Sequence, residues 1–207
     1  MTSLIGLLGG TFDPVHNGHL AVAQGLCDEL GADRVRCIPC ALPPHRTPPE
    51  CSAGHRLAML EAAVAADRRL IADTRELQRK GPSYTVWTLR SLRREFPGAS
   101  LCWVLGVDAW LGLKSWYRWY ELSSLAHLVV VRRPGWELPG SAEARLSGRT
   151  ADLKRRPAGA AVLWDGPEID LSASAIRDRI AAGEDVSDAL PGAVWEYIRR
   201  NKLYGFR

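Results

Sequence analysis

The residues that could do chemistry are concentrated in one short segment near the N-terminus. Two histidines, His16 and His19, follow the glycine pair Gly9-Gly10, and these glycines come directly after the apolar run Leu4–Leu8. Glycine lets a backbone approach a ligand closely, because it carries no Cβ. A helix that begins after such a turn offers N–H groups and the positive end of its dipole to phosphate, and histidines three residues apart lie on one helical face. Residues 9–19 therefore predict a phosphate-binding site.

Two other interpretations of His16 and His19 remain open at this stage. The pair could share a metal ion, for which Asp13 is the only adjacent third ligand. Both histidines could also be capping or surface residues without a ligand. The preceding glycine turn favours phosphate.

Two further motifs partly resemble known binding sites, a P-loop and a zinc site. A P-loop requires lysine directly after its second glycine, whereas Leu113 separates Gly112 from Lys114. Cys37 and Cys40 have the spacing of zinc ligands but lie at a strand end, where an odd separation points side chains to opposite faces. No second C-x-x-C follows, so free thiols are favoured over zinc.

A second helix start lies far along the chain, where Ser172 or Ser174 can cap a helix and Arg177 follows one turn later. A guanidinium beside the two histidines would complete a clamp for polyphosphate, although a plain capped helix with a surface arginine is the alternative. After the fourth predicted strand, Asp108 offers a polar anchor. It is followed by aromatic residues that could pack in the core or stack on a flat ligand ring, namely Trp110, Trp116, Tyr117, Trp119 and Tyr120.

Short apolar runs alternate with helical periodicity and supply the elements that must position these residues. The alternation predicts an α/β fold, a Rossmann-like doubly wound and mostly parallel sheet with helices on both faces. We expect one domain over residues 1–207, with an α/β core at 1–168 and a helical C-terminal part at 169–207. The predicted strands are Leu4–Leu8, Arg34–Pro39, Arg69–Ala72, Ser100–Leu105, Leu125–Val131 and Ala160–Leu163, and the predicted helices are Gly18–Leu30, Ser52–Ala66, Thr85–Glu95, Trp116–Ser123, Ser174–Ala182 and Gly192–Asn201.

Composition narrows the class of protein. A chain of 207 residues with 46% hydrophobic residues and a net charge of +4 suits one globular core and a small anionic ligand. Nucleic-acid binding has only scattered arginines in its favour. No transmembrane run or secretion signal is indicated, and five cysteines without a framework spacing suggest reduced thiols. We expect a cytoplasmic protein with no membrane partner.

Several motifs together resemble one family. Residues 9–19 resemble the signature of the nucleotidylyltransferases, and the resemblance to their bacterial nicotinate mononucleotide adenylyltransferase branch extends nearly end to end. The histidine motif is shared across the superfamily, and the Pro-Pro-His-Arg, Ser-Tyr-Thr and Trp-Tyr elements narrow the resemblance to the branch that uses the pyridine mononucleotide. Five stretches outside residues 9–19 resemble this branch. They are Pro43-Pro44-His45-Arg46, Gly81-Pro82-Ser83-Tyr84-Thr85-Val86, Gly106-Val107-Asp108 with Trp116-Tyr117, Ser172-Ala173-Ser174-Ala175-Ile176-Arg177, and the C-terminal stretch from Val194 to Tyr204.

The resemblance implies transfer of AMP from ATP, with Mg²⁺ carried by the ATP phosphates, to nicotinate mononucleotide. It implies His16, His19 and Arg177 as catalytic residues. It implies ATP binding by Gly9, Gly10, Thr11, Phe12, His16, Gly18, His19, Gly106, Asp108, Ser172, Ser174 and Arg177. It implies binding of the second substrate by His45, Arg46, Tyr84, Thr85, Asp108, Trp116, Tyr117 and Arg133.

Some questions remain open from the sequence. The acceptor could be nicotinamide mononucleotide or phosphopantetheine, and a nucleotide-binding module without turnover is a further alternative. A homo-oligomer is compatible with the chain. Trp87 stands where this branch commonly has an acidic or small polar residue, and Ala173 replaces a frequent serine. The proline-rich stretch Ala41–Pro49 predicts a semi-rigid active-site loop, and Arg133–Gly159 a partly mobile segment.

Overall fold

Six parallel strands form the centre of the structure, a computed structural model that describes residues 3–42, 48–132, 135, 137–146, 148–167 and 169–206. The strand order is β3-β2-β1-β4-β5-β6, and every pairing is parallel. The predicted α/β class and all predicted strands are confirmed, with small shifts at their ends. The strands are β1 Leu4–Gly10, β2 Arg34–Pro39, β3 Leu70–Ala72, β4 Ser100–Gly106, β5 His127–Val131 and β6 Ala161–Trp164.

The order of the strands reverses between β1 and β4, which both pair along their length although a large part of the chain separates them. In open α/β sheets, ligands bind outside the carboxyl ends of the strands at such a reversal. The sheet topology therefore locates the expected site at Gly9-Gly10 of β1 and Gly106 of β4, where the two glycine turns begin.

The helices flank both faces of the sheet. One buried cluster holds Leu26, Met59, Ile176 and Ile198, and the other holds Leu89, with its neighbours on the helix that precedes β4. Each such fully buried side chain contributes about 1.5–3 kcal/mol to folding. The helices are α1 Asn17–Asp28, α2 Ala53–Val64, α3 Thr85–Glu95, α4 Val107–Leu111, α5 Leu122–Leu125, α6 Gly140–Glu143, α7 Ala173–Ala181 and α8 Gly192–Arg200.

The helix predicted over Trp116–Ser123 is wrong. Trp116 has an extended backbone, with φ −76° and ψ 142°. Arg118 adopts the left-handed conformation, with φ 53°, so a continuous helical repeat is interrupted. A 3₁₀ turn at Trp119–Glu121 and the short helix α5 follow instead.

The segment from Arg133 to Gly159 contains more structure than its weak periodicity predicts. The indole N–H of Trp110 donates to the carbonyl of Ala142 at 3.2 Å. Leu153 is fully buried within a 3₁₀ turn. Ala142 and Leu153 therefore anchor this segment against α4 and the hydrophobic core.

Helices α7 and α8 contribute to the same hydrophobic cluster as α1 and α2. The division into a core and a C-terminal part near residue 168 stays a prediction. Among the described residues, no helix is both long enough and apolar enough to cross a membrane.

Candidate functional site

A cavity of about 680 Å³ lies at the carboxyl ends of β1, β4 and β5, where the strand order reverses. It brings together every predicted site residue that falls in the described part of the chain. His45, Arg46 and Arg133 lie outside the described residues. The predicted residues in the cavity wall are Gly9, Gly10, Thr11, Phe12, His16, Gly18, His19, Tyr84, Thr85, Gly106, Asp108, Trp116, Tyr117, Ser172, Ser174 and Arg177.

Gly9 is required by the packing of the protein itself. A Cβ at this position would lie 2.6 Å from the Cη2 atom of Trp103, a distance at which one of the two groups must move. Trp103 is buried and also lines the cavity. The absent side chain of Gly9 therefore lets an indole ring pass beneath the end of β1.

The two histidines are arranged differently from the helical face predicted for them. His16 caps α1 with an extended backbone, with φ −139° and ψ 170°, and only His19 lies within the helix. Their rings stack with centroids 3.7 Å apart, and the ring of Phe12 meets His19 edge-on at 4.9 Å. The pair still presents both imidazoles to one cavity, because stacking replaces the shared helical face.

A backbone hydrogen bond fixes the orientation of the His19 ring. The N–H of His16 donates to Nδ1 of His19 at 3.3 Å. A nitrogen that accepts a hydrogen bond carries no proton, so the neutral ring holds its proton on Nε2. This tautomer makes His19 a hydrogen-bond donor through Nε2.

Arg177 reaches the histidine segment from the other side of the cavity. Ser172 caps α7 by accepting from the N–H of Ala175 at 3.2 Å, as predicted. The Nη1 atom of Arg177 then donates to the carbonyl of Asp13 at 2.9 Å, and its Nε donates to Glu50 Oε1 at 2.6 Å. Arg177 thus links α7 to the turn between β1 and α1.

Asp13 is a buried hub of hydrogen bonds, although the sequence suggested it only as a metal ligand. Its carboxylate accepts from the N–H of Glu50 at 2.7 Å, from the N–H of Cys51 at 3.2 Å and from the hydroxyl of Tyr204 at 2.9 Å. The side chain is 4% exposed. It therefore holds the start of α2 and the C-terminal segment against the histidine turn, which leaves little of its charge available for a metal ion.

Arg56 is a second buried charge that sequence reasoning missed. It is 1% exposed and donates to the carbonyls of Thr11 at 2.6 Å and Cys40 at 2.8 Å. In a trans peptide the carbonyl and the next N–H point in opposite directions. The bond to the Thr11 carbonyl therefore turns the N–H of Phe12 away from Arg56.

Phe12 has a left-handed backbone, with φ 51°, which bulky residues rarely adopt. Such conformations cost about 1–3 kcal/mol. Arg56 on one side of Phe12 and the hydrogen bonds to Asp13 on the other hold the turn in this shape. An arginine on the apolar face of a helix is the one signal in the sequence that could have pointed to Arg56.

Aromatic residues form the far wall of the cavity. The rings of Tyr84 and Tyr117 lie 4.6 Å apart, and Trp116 is half-buried beside them. Tyr84 caps α3, so Thr85 is in the first turn of that helix. Trp87 lies behind this wall, with its ring 5.0 Å from Tyr84, rather than at the floor of the cavity.

The entry to α3 is tied to the end of β2. The N–H of Ser83 donates to the carbonyl of Leu42 at 3.0 Å, and the hydroxyl of Ser83 accepts from the N–H of Ala41 at 2.9 Å.

A buried acidic residue also lines the cavity. The carboxyl of Glu76 accepts from the hydroxyl of Thr88 at 2.5 Å. Burial raises the pKa of Glu76. This acidic residue is a further cavity residue that the motifs did not reveal.

Among the described residues, no group of three or more His, Cys, Asp or Glu side chains could hold a metal ion. Cys37 is buried, whereas Cys40 lines the cavity and places its Sγ 3.7 Å from the hydroxyl of Thr11. The two thiols therefore face different surroundings, with Cys40 one residue beyond the end of β2.

Comparisons with known proteins show the family to which this chain belongs. A family model described as cytidylyltransferase-like matches residues 7–179. The structure of Plasmodium falciparum nicotinic acid mononucleotide adenylyltransferase complexed with NaAD has a TM-score of 0.79 at 16% identity, and the match covers 99% of this chain and 98% of that one. At that identity the likeness concerns the fold.

Curated relatives are much closer in sequence. A protein from Aeromonas hydrophila named "probable nicotinate-nucleotide adenylyltransferase" is 46% identical over 97% of this chain and 96% of its own length. A protein of the same name from Cellvibrio japonicus is 42% identical over 99% of this chain and its own full length. The chain therefore belongs to the cytidylyltransferase-like proteins and, within them, to the nicotinate-nucleotide adenylyltransferase family, which confirms the resemblance drawn from its motifs.

Proposed function

We propose that this protein transfers AMP from ATP to the phosphate of nicotinate mononucleotide, which yields nicotinate adenine dinucleotide and pyrophosphate. The observation that carries the proposal is the meeting of two sets of residues in one cavity. The phosphate donors predicted from residues 9–19 and from Arg177 line one side, and the aromatic residues predicted for the pyridine ring line the other. The family to which the chain belongs supports the same reaction.

The reaction needs little covalent chemistry from the protein. An oxygen of the mononucleotide phosphate, already anionic at neutral pH, forms a bond to the α-phosphorus of ATP. The bond from that phosphorus to the bridging oxygen of the β-phosphate breaks, and pyrophosphate leaves with the electron pair. Such an in-line displacement requires positioning and neutralisation of charge rather than a general base.

His19 supplies a donor for this charge. Its Nε2–H, set by the hydrogen bond at Nδ1, is assigned to the α-phosphoryl oxygens, and His16 is assigned to the ATP phosphates beside it. Arg177 is assigned to the departing pyrophosphate. In the structure its guanidinium is held by Glu50 and by the Asp13 carbonyl, so phosphate must replace Glu50. The backbone N–H groups of Thr11 and Phe12 are assigned to phosphate contacts, and Gly106, Asp108, Ser172 and Ser174 to the remainder of ATP.

The acceptor is assigned to the aromatic side of the cavity. Trp116 is assigned to stacking on the pyridine ring, and backbone N–H groups near Thr85 and Tyr117 to its carboxylate. A site made of donors disfavours the carboxamide, because an NH₂ group would face those donors unpaired. Leaving a buried donor unpaired costs about 1–3 kcal/mol, or about 10–100-fold in affinity.

Mg²⁺ fits this site as an ion carried by ATP. The carboxylate of Asp13 is occupied by three protein donors, and the described residues offer no three-ligand group. Phosphate oxygens and water would supply most of its ligands, and the ion would neutralise phosphate charge. None of the five cysteines forms a disulfide, which is in keeping with a reducing, cytoplasmic setting.

An acceptor panel tests the proposal. The protein is incubated with ATP, Mg²⁺ and either nicotinate mononucleotide, nicotinamide mononucleotide or phosphopantetheine, and pyrophosphate release is followed together with the dinucleotide product. We expect kcat/KM for the acid mononucleotide to exceed that for the amide by about 10–100-fold. Equal values for the two mononucleotides would refute the acceptor assignment, and ATP binding without pyrophosphate release would refute the activity.

A further inference from the structure

A second concave surface lies behind the aromatic wall, outside the catalytic cavity. This surface, the arginine groove, has a volume of about 810 Å³ and runs along the outer side of α3. No acidic residue is among the described residues that line it. Five of the lining residues are arginines, and a sixth is the tryptophan that departs from the family pattern: Arg75, Arg79, Arg90, Arg93, Arg94 and Trp87.

The charge of the arginine groove is only partly compensated. Arg75 and Arg90 are paired with carboxylates at 2.8 Å and 2.5 Å. In the described part of the chain, Arg79, Arg93 and Arg94 have no carboxylate oxygen within the 4.0 Å limit of a salt bridge. These three guanidinium groups therefore have no salt-bridge partner among the described residues, although Arg79 interacts electrostatically with the buried carboxyl of Glu76.

These three arginines differ in how many of their side-chain donors remain available to a ligand. Arg93 directs its donors at backbone carbonyls, including that of Leu125 at 2.8 Å, so it contributes charge but no free hydrogen bonds. The side chain of Arg79 makes one hydrogen bond, to the hydroxyl of Thr88 at 3.3 Å. Arg94 is exposed. The donors available to an anion in the groove are thus those of Arg79 and Arg94.

Trp87 gives the groove an aromatic surface beside these cations. It is half-buried, and its ring contacts Tyr84 at 5.0 Å and Tyr117 at 5.9 Å, both of which line the catalytic cavity. Stacking of a base on an aromatic side chain contributes about 1–3 kcal/mol, and guanidinium groups bind phosphate through paired hydrogen bonds. An aromatic ring next to free arginines is the combination that recognises a nucleotide.

We propose that the arginine groove is a second nucleotide site, which takes a nucleoside diphosphate with its base against Trp87 and its phosphates at Arg79 and Arg94. Because Trp87 also supports Tyr84 and Tyr117, a ligand in the groove contacts the residue that backs the acceptor side of the catalytic cavity. This site does not depend on the proposed reaction, since none of its three recognition residues lines that cavity.

Calorimetric titration with ADP tests the site, because ADP can enter both the catalytic cavity and the groove. We expect two binding sites per chain in the wild-type protein. The double variant Arg79→Glu/Arg94→Glu should keep one site and bind ADP in the groove about 10–100-fold more weakly, the effect of losing charge-assisted hydrogen bonds. Arg68→Glu is the matched control: Arg68 is exposed, lines neither site and undergoes the same change of charge.

Further measurements distinguish a groove that binds a nucleotide from one that binds phosphate groups alone. Arg94→Glu alone, at an exposed position, should fold normally and weaken the second site while the rate of the basal reaction stays unchanged. Tripolyphosphate should bind the groove more weakly than ADP, because it lacks a base for Trp87. A single ADP site in the wild-type protein, or a second site of unchanged affinity in the double variant, would overturn the proposal. Equal affinity for tripolyphosphate and ADP would overturn the assignment to a nucleotide.

Discussion

Replacement of Tyr204 by phenylalanine tests whether the C-terminal segment is fastened to the site through Asp13. The tyrosine hydroxyl donates to the Asp13 carboxylate at 2.9 Å, and the two residues are 8% and 4% exposed. A hydrogen bond to a charged group contributes about 1.5–3 kcal/mol when it is buried. Phenylalanine keeps the ring and its packing, so the change removes the hydrogen bond and leaves the core filled.

The expected loss lies near the middle of that range. Asp13 keeps two backbone donors, from Glu50 and Cys51, so its charge is not left unsatisfied. We therefore expect Tyr204→Phe to lower the free energy of unfolding by about 2 kcal/mol. For a chain of this size, that corresponds to a fall in Tm of about 4–8 °C.

Urea unfolding followed by tryptophan fluorescence measures this loss, with the slope of the transition checked for constancy. Tyr197→Phe is the control, because its hydroxyl lies 3.0 Å from Nδ1 of His55 in a half-buried pair that contains no carboxylate. We expect that variant to lose about 1 kcal/mol or less. If Tyr204→Phe lowered the free energy of unfolding by no more than Tyr197→Phe does, the hydrogen bonds around Asp13 would not hold the C-terminal segment, and the reasoning would fail.

Three further predictions concern the site and the sheet. His19→Ala should lower kcat by about 10²–10³ with a much smaller change in the KM for ATP; His55→Ala is the control in a steady-state assay, and near-wild-type turnover of the first variant would refute the role of His19. Glu50→Gln should lower the KM for ATP by a few-fold, because Arg177 is then released from an exposed ion pair that is worth about 0–1 kcal/mol; an unchanged or higher KM would show that Glu50 does not compete with phosphate. Burial lowers the pKa of His127, so protonation favours the unfolded chain and stability should fall as the pH drops below about 6.5. Urea unfolding at pH 7.5 and 5.5 should show a larger loss for the wild-type protein than for His127→Gln, and equal losses would contradict this reasoning.

The hydrogen bonds of His127 explain why protonation of this ring destabilises the folded protein. Its Nδ1 accepts from the N–H of Ala160 at 2.9 Å, so Nε2 must carry the proton that it donates to the carbonyl of Arg156 at 2.8 Å. A second proton on Nδ1 would face an N–H group inside the protein. The folded state therefore favours the neutral form of the His127 ring.

The strands and the general position of the site could be predicted from the sequence. Alternation of apolar runs with helical periodicity is a local property, and β2 and α3 have the bounds that this pattern predicts. The phosphate segment was also recognisable, because residues 9–19 are consecutive in the chain. The aromatic residues after β4 were recognisable too, but the backbone of their segment was not, since it depends on the left-handed Arg118 rather than on a repeat.

What the sequence by itself determined is the chemistry available: the glycine turn, the two imidazoles, Arg177 and the aromatic residues, all present as short motifs. Only the tertiary structure decided how they are supported. Tyr204 meets Asp13 across 191 positions of sequence, and Arg56 is buried against carbonyls although an isolated arginine would be expected at the surface. Local patterns report the periodicity of a helix or a strand, whereas such contacts exist only after the sheet has brought distant segments to one edge.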